Sequence, residues 1–290
     1  MLEAVGLPIV DHHCHLSPNG EGVRAARRFQ AAGGSHLFLT TQGYVPDVPL
    51  RLEGYQDQFE ITERLAQTIE REVGIEVLCV IAPYPVDFLT QRERLGTVAA
   101  MELQEAALDL AGRWVHDQRA IALGEVGRPH FAVSAEVMES SEALFRHALE
   151  VARDVGCPAV VHCEDLTPEG YQGVARLAAQ VGFPVQRLVK HYARTIVPPD
   201  ERYGVVPSFL ARRDLTRISL TLPGPWFWET DFLDDPSRPG AVLDLATVPR
   251  RATQALSEDP AAAELLRVPF QESVRAVYGF TPERPDPPPP

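Results

Sequence analysis

Eight short apolar runs rich in β-branched residues recur along this chain, most of them separated by amphipathic stretches. The runs are LPIVDHH, SHLFLTT, IEVLCVIAP, AIALGEVG, PAVVHCE, RLVKHYA, GVVPSFLA and WFWETDF. Between them lie stretches such as FEITERLAQTIEREVG, AAMELQEAALDLAGRWVHD, SSEALFRHALEVARDVG and YQGVARLAAQVG. There Ala, Leu and Val recur at helical spacing with Arg and Glu between, and a trailing Gly supplies a C-cap. Strands alternating with helices predict an α/β protein, a (β/α)8 TIM barrel in one domain over residues 1–280. The seventh unit, residues 204–222, is the least regular, with a short, Pro-flanked helix. A doubly wound open sheet is the rival. It would carry a Gly-rich phosphate loop after an early strand, and SPNGEG is a poor one. Residues 281–290, ending in PDPPPP, cannot form a core and read as a disordered tail.

A net charge of −13 argues against broad adhesion to nucleic acid or to an anionic membrane. It leaves room for a phosphate-bearing substrate, because bound divalent cations reverse the field locally. Four cysteines follow no CxxC pattern and read as reduced thiols. With no membrane-length apolar run and no signal peptide, the expected location is cytoplasmic.

The first apolar run ends in an unusual way, as LPIVDHHCHLSP. By strict alternation Asp11, His13 and His15 share one face, and His12 and Cys14 the other. Two imidazoles on one face can converge on one ion. Four other runs also end in polar residues: Glu125 closes the fourth, His162 the fifth, His191 the sixth and Asp231 the eighth. In a parallel barrel these ends meet at one rim. Four histidines and two carboxylates there are too much polarity to bury without a partner, and two divalent cations are the natural one. Zn, Mn, Mg, Fe, Co and Ni all suit such a set. His12, His36, His116 and His147 show no ligand geometry and read as structural.

On these residues the chain resembles the TatD-related metal-dependent hydrolases, among the amidohydrolase-like barrels, over about residues 8–235. DHHCHL is similar to the family's D-x-H-x-H opening, GEVG to its glutamate strand, VHC and KH to its single histidines, and ETD to its terminal acidic strand. The resemblance implies two metals. His13, His15 and Asp231 would hold one, His162 and His191 the other, with Glu125 ligating or bridging both. Many related barrels use a carboxylated lysine as bridge. The only lysine here, Lys190, neighbours His191 and so points to the opposite face, which leaves the bridge to Glu125.

The expected chemistry is attack of a metal-activated hydroxide on a phosphoester, of phosphodiesterase or deoxyribonuclease type. A second reading is amide, ester or lactone hydrolysis, and a remote third an inactive metal-binding scaffold. Asp231 and Glu125 are the candidate catalytic residues, with Asp231 moving the proton and Asp11 and Glu229 orienting ligands from behind. Where DNase-like members continue as G-E-x-G-L-D, this chain reads GEVGRPH. Glu164 stands where arginine is usual, and HYART replaces HCFSG. These departures count against a DNA substrate, and the expected partner is a small-molecule or phosphoester substrate. Arg128, His130, Glu164 and Arg194 are the candidate substrate contacts. PWFWE reads as wall and core rather than as a base-stacking platform, and DDPSRPG (234–240) as a flap.

Overall fold

The computed structural model describes residues 6–45 and 47–285. Every apolar run becomes a strand: β1 (Val10–His15), β2 (His36–Thr40), β3 (Glu76–Ile81), β4 (Ala122–Gly127), β5 (Ala159–His162), β6 (Leu188–Ala193) and β7 (Val206–Leu210). The last run splits into β8 (Phe227–Glu229) and β9 (Phe232–Leu233). These strands form one parallel nine-stranded sheet in the order β8-β7-β6-β5-β4-β3-β2-β1-β9. Only Thr230 and Asp231 separate β8 from β9, yet β9 pairs with β1 at the far end of that order, Cys14 against Phe232. The sheet therefore curls until its last run meets its first. There the Asp231 amide donates to the His13 carbonyl at 2.9 Å.

The helices are α1 (Val23–Ala31), α2 (Leu52–Val73), α3 (Asp87–Leu95), α4 (Thr97–His116), α5 (Ala135–Val155), α6 (Pro168–Gln180) and α7 (Arg213–Ser219). In α5 the buried residues Val137, Ser141, Leu144, Phe145, Ala148, Leu149 and Ala152 fall three or four apart, as an apolar stripe requires. The Ser134 hydroxyl caps its start by accepting from the Val137 amide, and Gly156 ends it in the left-handed region. Sequence periodicity does not announce α3, because DFLTQRERL buries only Phe88 and Gln91. Along β2, Leu37 and Leu39 join the core under the helices while Phe38 joins the other one, the period-2 alternation of a strand buried on both faces.

The chain finishes with α8 (Thr247–Glu258), α9 (Ala262–Leu265) and α10 (Ser273–Tyr278). Val248, Ala252, Leu256, Val274 and Val277 pack into one cluster with Trp226, Phe227 and Trp228. The three aromatics are thus core, with the Trp228 indole N–H donating to Ser219 Oγ at 2.8 Å. Residues 281–285 carry no regular secondary structure, and the rest of the expected tail lies outside the described residues. No described helix is long and apolar enough to cross a membrane.

The strand register corrects one expectation. Between Asp11 and Cys14 strand β1 holds one residue more than β2, since Asp11 pairs with Leu37 and Cys14 with Leu39. Similar irregularities fall between Gly124 and Val126 in β4 and between Lys190 and Ala193 in β6. Such bulges re-aim side chains. Strict alternation therefore fails in β1. His12 stacks on Phe227 at 4.0 Å and meets the Tyr278 hydroxyl at 2.7 Å. Asp11 pairs in register like Cys14, whose side chain joins the core under the helices.

Candidate metal centre

All six residues singled out at strand ends come together. Two groups carry the arrangement: His13, His15, Glu125 and Asp231 offer atoms within 4.8 Å of one another, and so do Glu125, His162 and His191. Glu125 belongs to both. Its Oε1 lies 3.1 Å from His13 Nε2 and 2.8 Å from His191 Nε2, and its Oε2 lies 3.4 Å from His162 Nδ1. Asp231 Oδ1 lies 3.6 Å from His15 Nε2 and 3.8 Å from His13 Nε2. Asp231 holds this place with φ 50°, a left-handed conformation that Asp tolerates better than most residues.

Groups behind the rings of His13, His15 and His191 face their outward nitrogens. His15 Nδ1 meets the Thr40 carbonyl at 3.2 Å, and a carbonyl only accepts, so a proton sits on Nδ1. His13 Nδ1 meets Thr40 Oγ1 at 3.3 Å. His191 Nδ1 faces Glu229 Oε1 at 3.5 Å. The inner nitrogens face carboxylate oxygens and one another, with His13 Nε2 and His15 Nε2 3.1 Å apart. Two carboxylates and four imidazoles buried together call for positive charge among them. Imidazole and carboxylate donors in this number fit divalent cations.

The electrostatics express the same crowding. Burial opposes ionisation of Glu125, but His191 and His162 outweigh it and hold the carboxyl well below its ordinary range. Burial also opposes charge on His191, yet Glu125 overrides it and carries the imidazole up to about 10. His13 is pushed down by burial and by His191. His15 is raised despite burial, through its contact with Asp231, and Asp231 is lowered despite burial by the same contact.

The remaining predicted residues differ in what they touch. Glu229 Oε1 lies 3.5 Å from His191 Nδ1, and its carboxylate accepts from the Tyr192 amide. Asp11 does not reach an imidazole. Its carboxyl, pushed up to about 8 by burial, accepts from the Thr230 amide at 3.0 Å and hydroxyl at 2.6 Å. It thereby ties β1 to the segment that carries Asp231. Arg128 was expected to meet an anionic substrate, but its guanidinium is held by Glu164 and by Glu142, and Glu164 is correspondingly occupied. Arg194 is exposed, with its guanidinium over the Tyr192 ring at 5.3 Å. His130 lies 2.8 Å from His162 Nε2. Lys190 is buried away from the cluster and donates to the His191 carbonyl. In the expected flap, Asp234 is buried and accepts from the amides of Ser17, Glu21 and Gly22 at 2.9, 2.7 and 2.7 Å. Sequence alone does not single out Thr40, which ends β2, or Tyr84, three residues beyond β3; a polar residue closing an apolar run was the signal for Thr40.

Comparison with known proteins places the chain in a family. The family model described as TatD related DNase matches residues 10–279. An uncharacterized protein of Methanocaldococcus jannaschii is 29% identical over 278 residues, covering 94% of this chain and 96% of its own length. The crystal structure of YjjV, a TatD homologue of Escherichia coli, aligns with TM-score 0.63 at 14% identity, over 94% of this chain and 98% of that one. The phosphotriesterase homology protein of Escherichia coli, solved with phosphate in its active site, aligns with TM-score 0.56 at 12% identity, over 95% and 98%. At such identities the two structures speak for the fold. The family model matches a span that contains all six clustered residues, and on that match this chain belongs to the TatD related DNase family and is a metal-dependent hydrolase.

Proposed function

We propose a binuclear metal-dependent hydrolase acting on a phosphoester of a small molecule. In this reading the curled sheet closes as a (β/α)8 barrel within one domain, residues 1–280, and the metal centre occupies the mouth at the strands' C-terminal ends. His13, His15 and Asp231 would hold one ion and His162 and His191 the other, with Glu125 within reach of both groups. The observation that carries the reading is the set of inward nitrogens of four histidines gathered on Glu125 and Asp231, neither of which has a Lys or Arg partner among the described residues.

When bound, two divalent cations polarise the substrate oxygen and acidify a water. The protein's own residues do the rest. Asp231 accepts the proton of the attacking water. Its Oδ1 faces His15 and His13, which leaves Oδ2 for that proton, and its side chain is 16% exposed against 6% for Glu125. Its lowered pKa keeps it ionised. Arg194, with no carboxylate partner among the described residues, meets the substrate's anionic group. A cytoplasmic location belongs to the same proposal, supported by four buried, unpaired cysteines.

Neutralisation of Arg128 by Glu164 and Glu142 supports a second reading, hydrolysis at a carbonyl centre of an amide, ester or lactone. The same neutralisation counts against a polyanionic nucleic-acid strand. Assaying chelated and metal-restored protein on a phosphomonoester, a phosphodiester and a lactone separates these. Metal-dependent turnover of a phosphoester supports the first reading. Turnover of the lactone alone replaces it with the second, and no metal uptake refutes both.

A further inference from the structure

His162 differs from the other three clustered histidines in how it is held. Its inward atom is Nδ1, 3.4 Å from Glu125 Oε2 and 3.2 Å from His191 Nε2. Its outward atom is Nε2, and a ring with a bare Nδ1 carries its proton there. That nitrogen meets His130 Nδ1 at 2.8 Å and the Tyr84 hydroxyl at 3.4 Å. Both rings stand edge-on to the His162 imidazole, at 69° and 81°. His13 and His15 are held from behind by Thr40 of β2, and His191 by Glu229 of β8, whereas His162 is met by Tyr84, after β3, and more closely by His130, in the loop after β4.

That loop is pinned to the end of β5. Gly127 has φ 135°, and a Cβ there would stand 2.2 Å from the His162 carbonyl, so only glycine allows the approach. The Arg128 amide donates to the same carbonyl at 3.0 Å. The Arg128 guanidinium then binds Glu164, two residues beyond His162. Pro129 follows, and His130 is delivered to the ring. The two departures noted in sequence, GEVGRPH and Glu164, are thus two halves of one clamp.

We propose that His130, brought there by the Arg128–Glu164 pair, accepts the Nε2 proton of His162 and so is the positioning residue that keeps Nδ1 aimed at the second metal position. This inference rests on the binuclear reading above. His130 is exposed, so its replacement leaves the core intact. Titrating metal-free protein with Zn²⁺ against a chromophoric chelator reads the affinity of each ion without reference to turnover. In His130→Phe, which keeps a ring but no acceptor, one ion of two weakens by about 10–100-fold. His130→Asn, whose Oδ1 replaces Nδ1, restores most of that loss, and Glu164→Gln weakens the same ion. Unchanged affinities in His130→Phe, or a loss that Asn fails to rescue, overturns the inference while two-ion binding by the unsubstituted protein preserves the reading beneath it. Failure of the unsubstituted protein to bind Zn²⁺ overturns both.

Discussion

Replacing Asp234 by Ala removes a buried carboxylate that accepts three backbone amides, those of Ser17, Glu21 and Gly22. Hydrogen bonds to a charged group contribute about 1.5–3 kcal/mol each. Their sum overstates the loss, because water reaches the half-buried Glu21 end. We therefore expect destabilisation of about 4 kcal/mol, at the high end for a single substitution. Gly20 provides an internal check, since a Cβ on it would lie 2.1 Å from Asp234 Oδ1. Gly20→Ala alone should cost about 2–3 kcal/mol, by displacing a carboxylate that three amides hold in place. In the Asp234→Ala background that clash is gone, and the same change should cost less than about 1 kcal/mol. Urea unfolding of the four proteins of this double-mutant cycle, in excess chelator so that metal binding adds no stability, measures the coupling. Additive effects, or an Asp234→Ala loss below about 1 kcal/mol, would refute the clamp.

Other consequences are equally direct. Burial pushes Asp87 from its ordinary 3.8 up to about 7, against the opposing hydrogen bond from Tyr55. The folded state then retains a proton that the unfolded chain releases. The resulting penalty is absent below pH 4, grows between pH 4 and 7, and is constant above. Asp87→Asn should remove that slope and add about 2–4 kcal/mol at pH 8, read from urea midpoints at pH 4 and 8. Glu125→Gln should lower bound metal from two ions per chain to one or fewer, measured by elemental analysis after dialysis. Asp231→Asn should lower kcat by about 10²–10⁴-fold with the His162 and His191 ion still present, in a steady-state assay on the substrate found by screening.

Much of the site was legible because strand ends are a local property. An apolar β-branched run followed by a polar residue and a loop signal marks such an end, and in a parallel sheet those ends lie on one side. Hence Glu125, His162, His191 and Asp231 could be placed together from segments far apart in sequence. Helix α3 escaped for the converse reason, since a helix that buries two side chains leaves almost no periodic trace. The anion-binding role expected of Arg128 failed on a long-range fact, the carboxylates of Glu164 and Glu142 lying within reach. Asp234, expected in a flap, proved a fastening because three amides from the first loop converge on it.

Residue types and their period determined, from sequence alone, the alternating α/β class, the eight runs and the chemical character of the rim. Tertiary structure alone decided which ring nitrogen faces inward, which arginine is already neutralised, and where β1, β4 and β6 each gain a residue against their neighbours. Period and composition are properties of a segment. A tautomer, an ion pair or a bulge belongs to two segments at once, and only their meeting in space selects it.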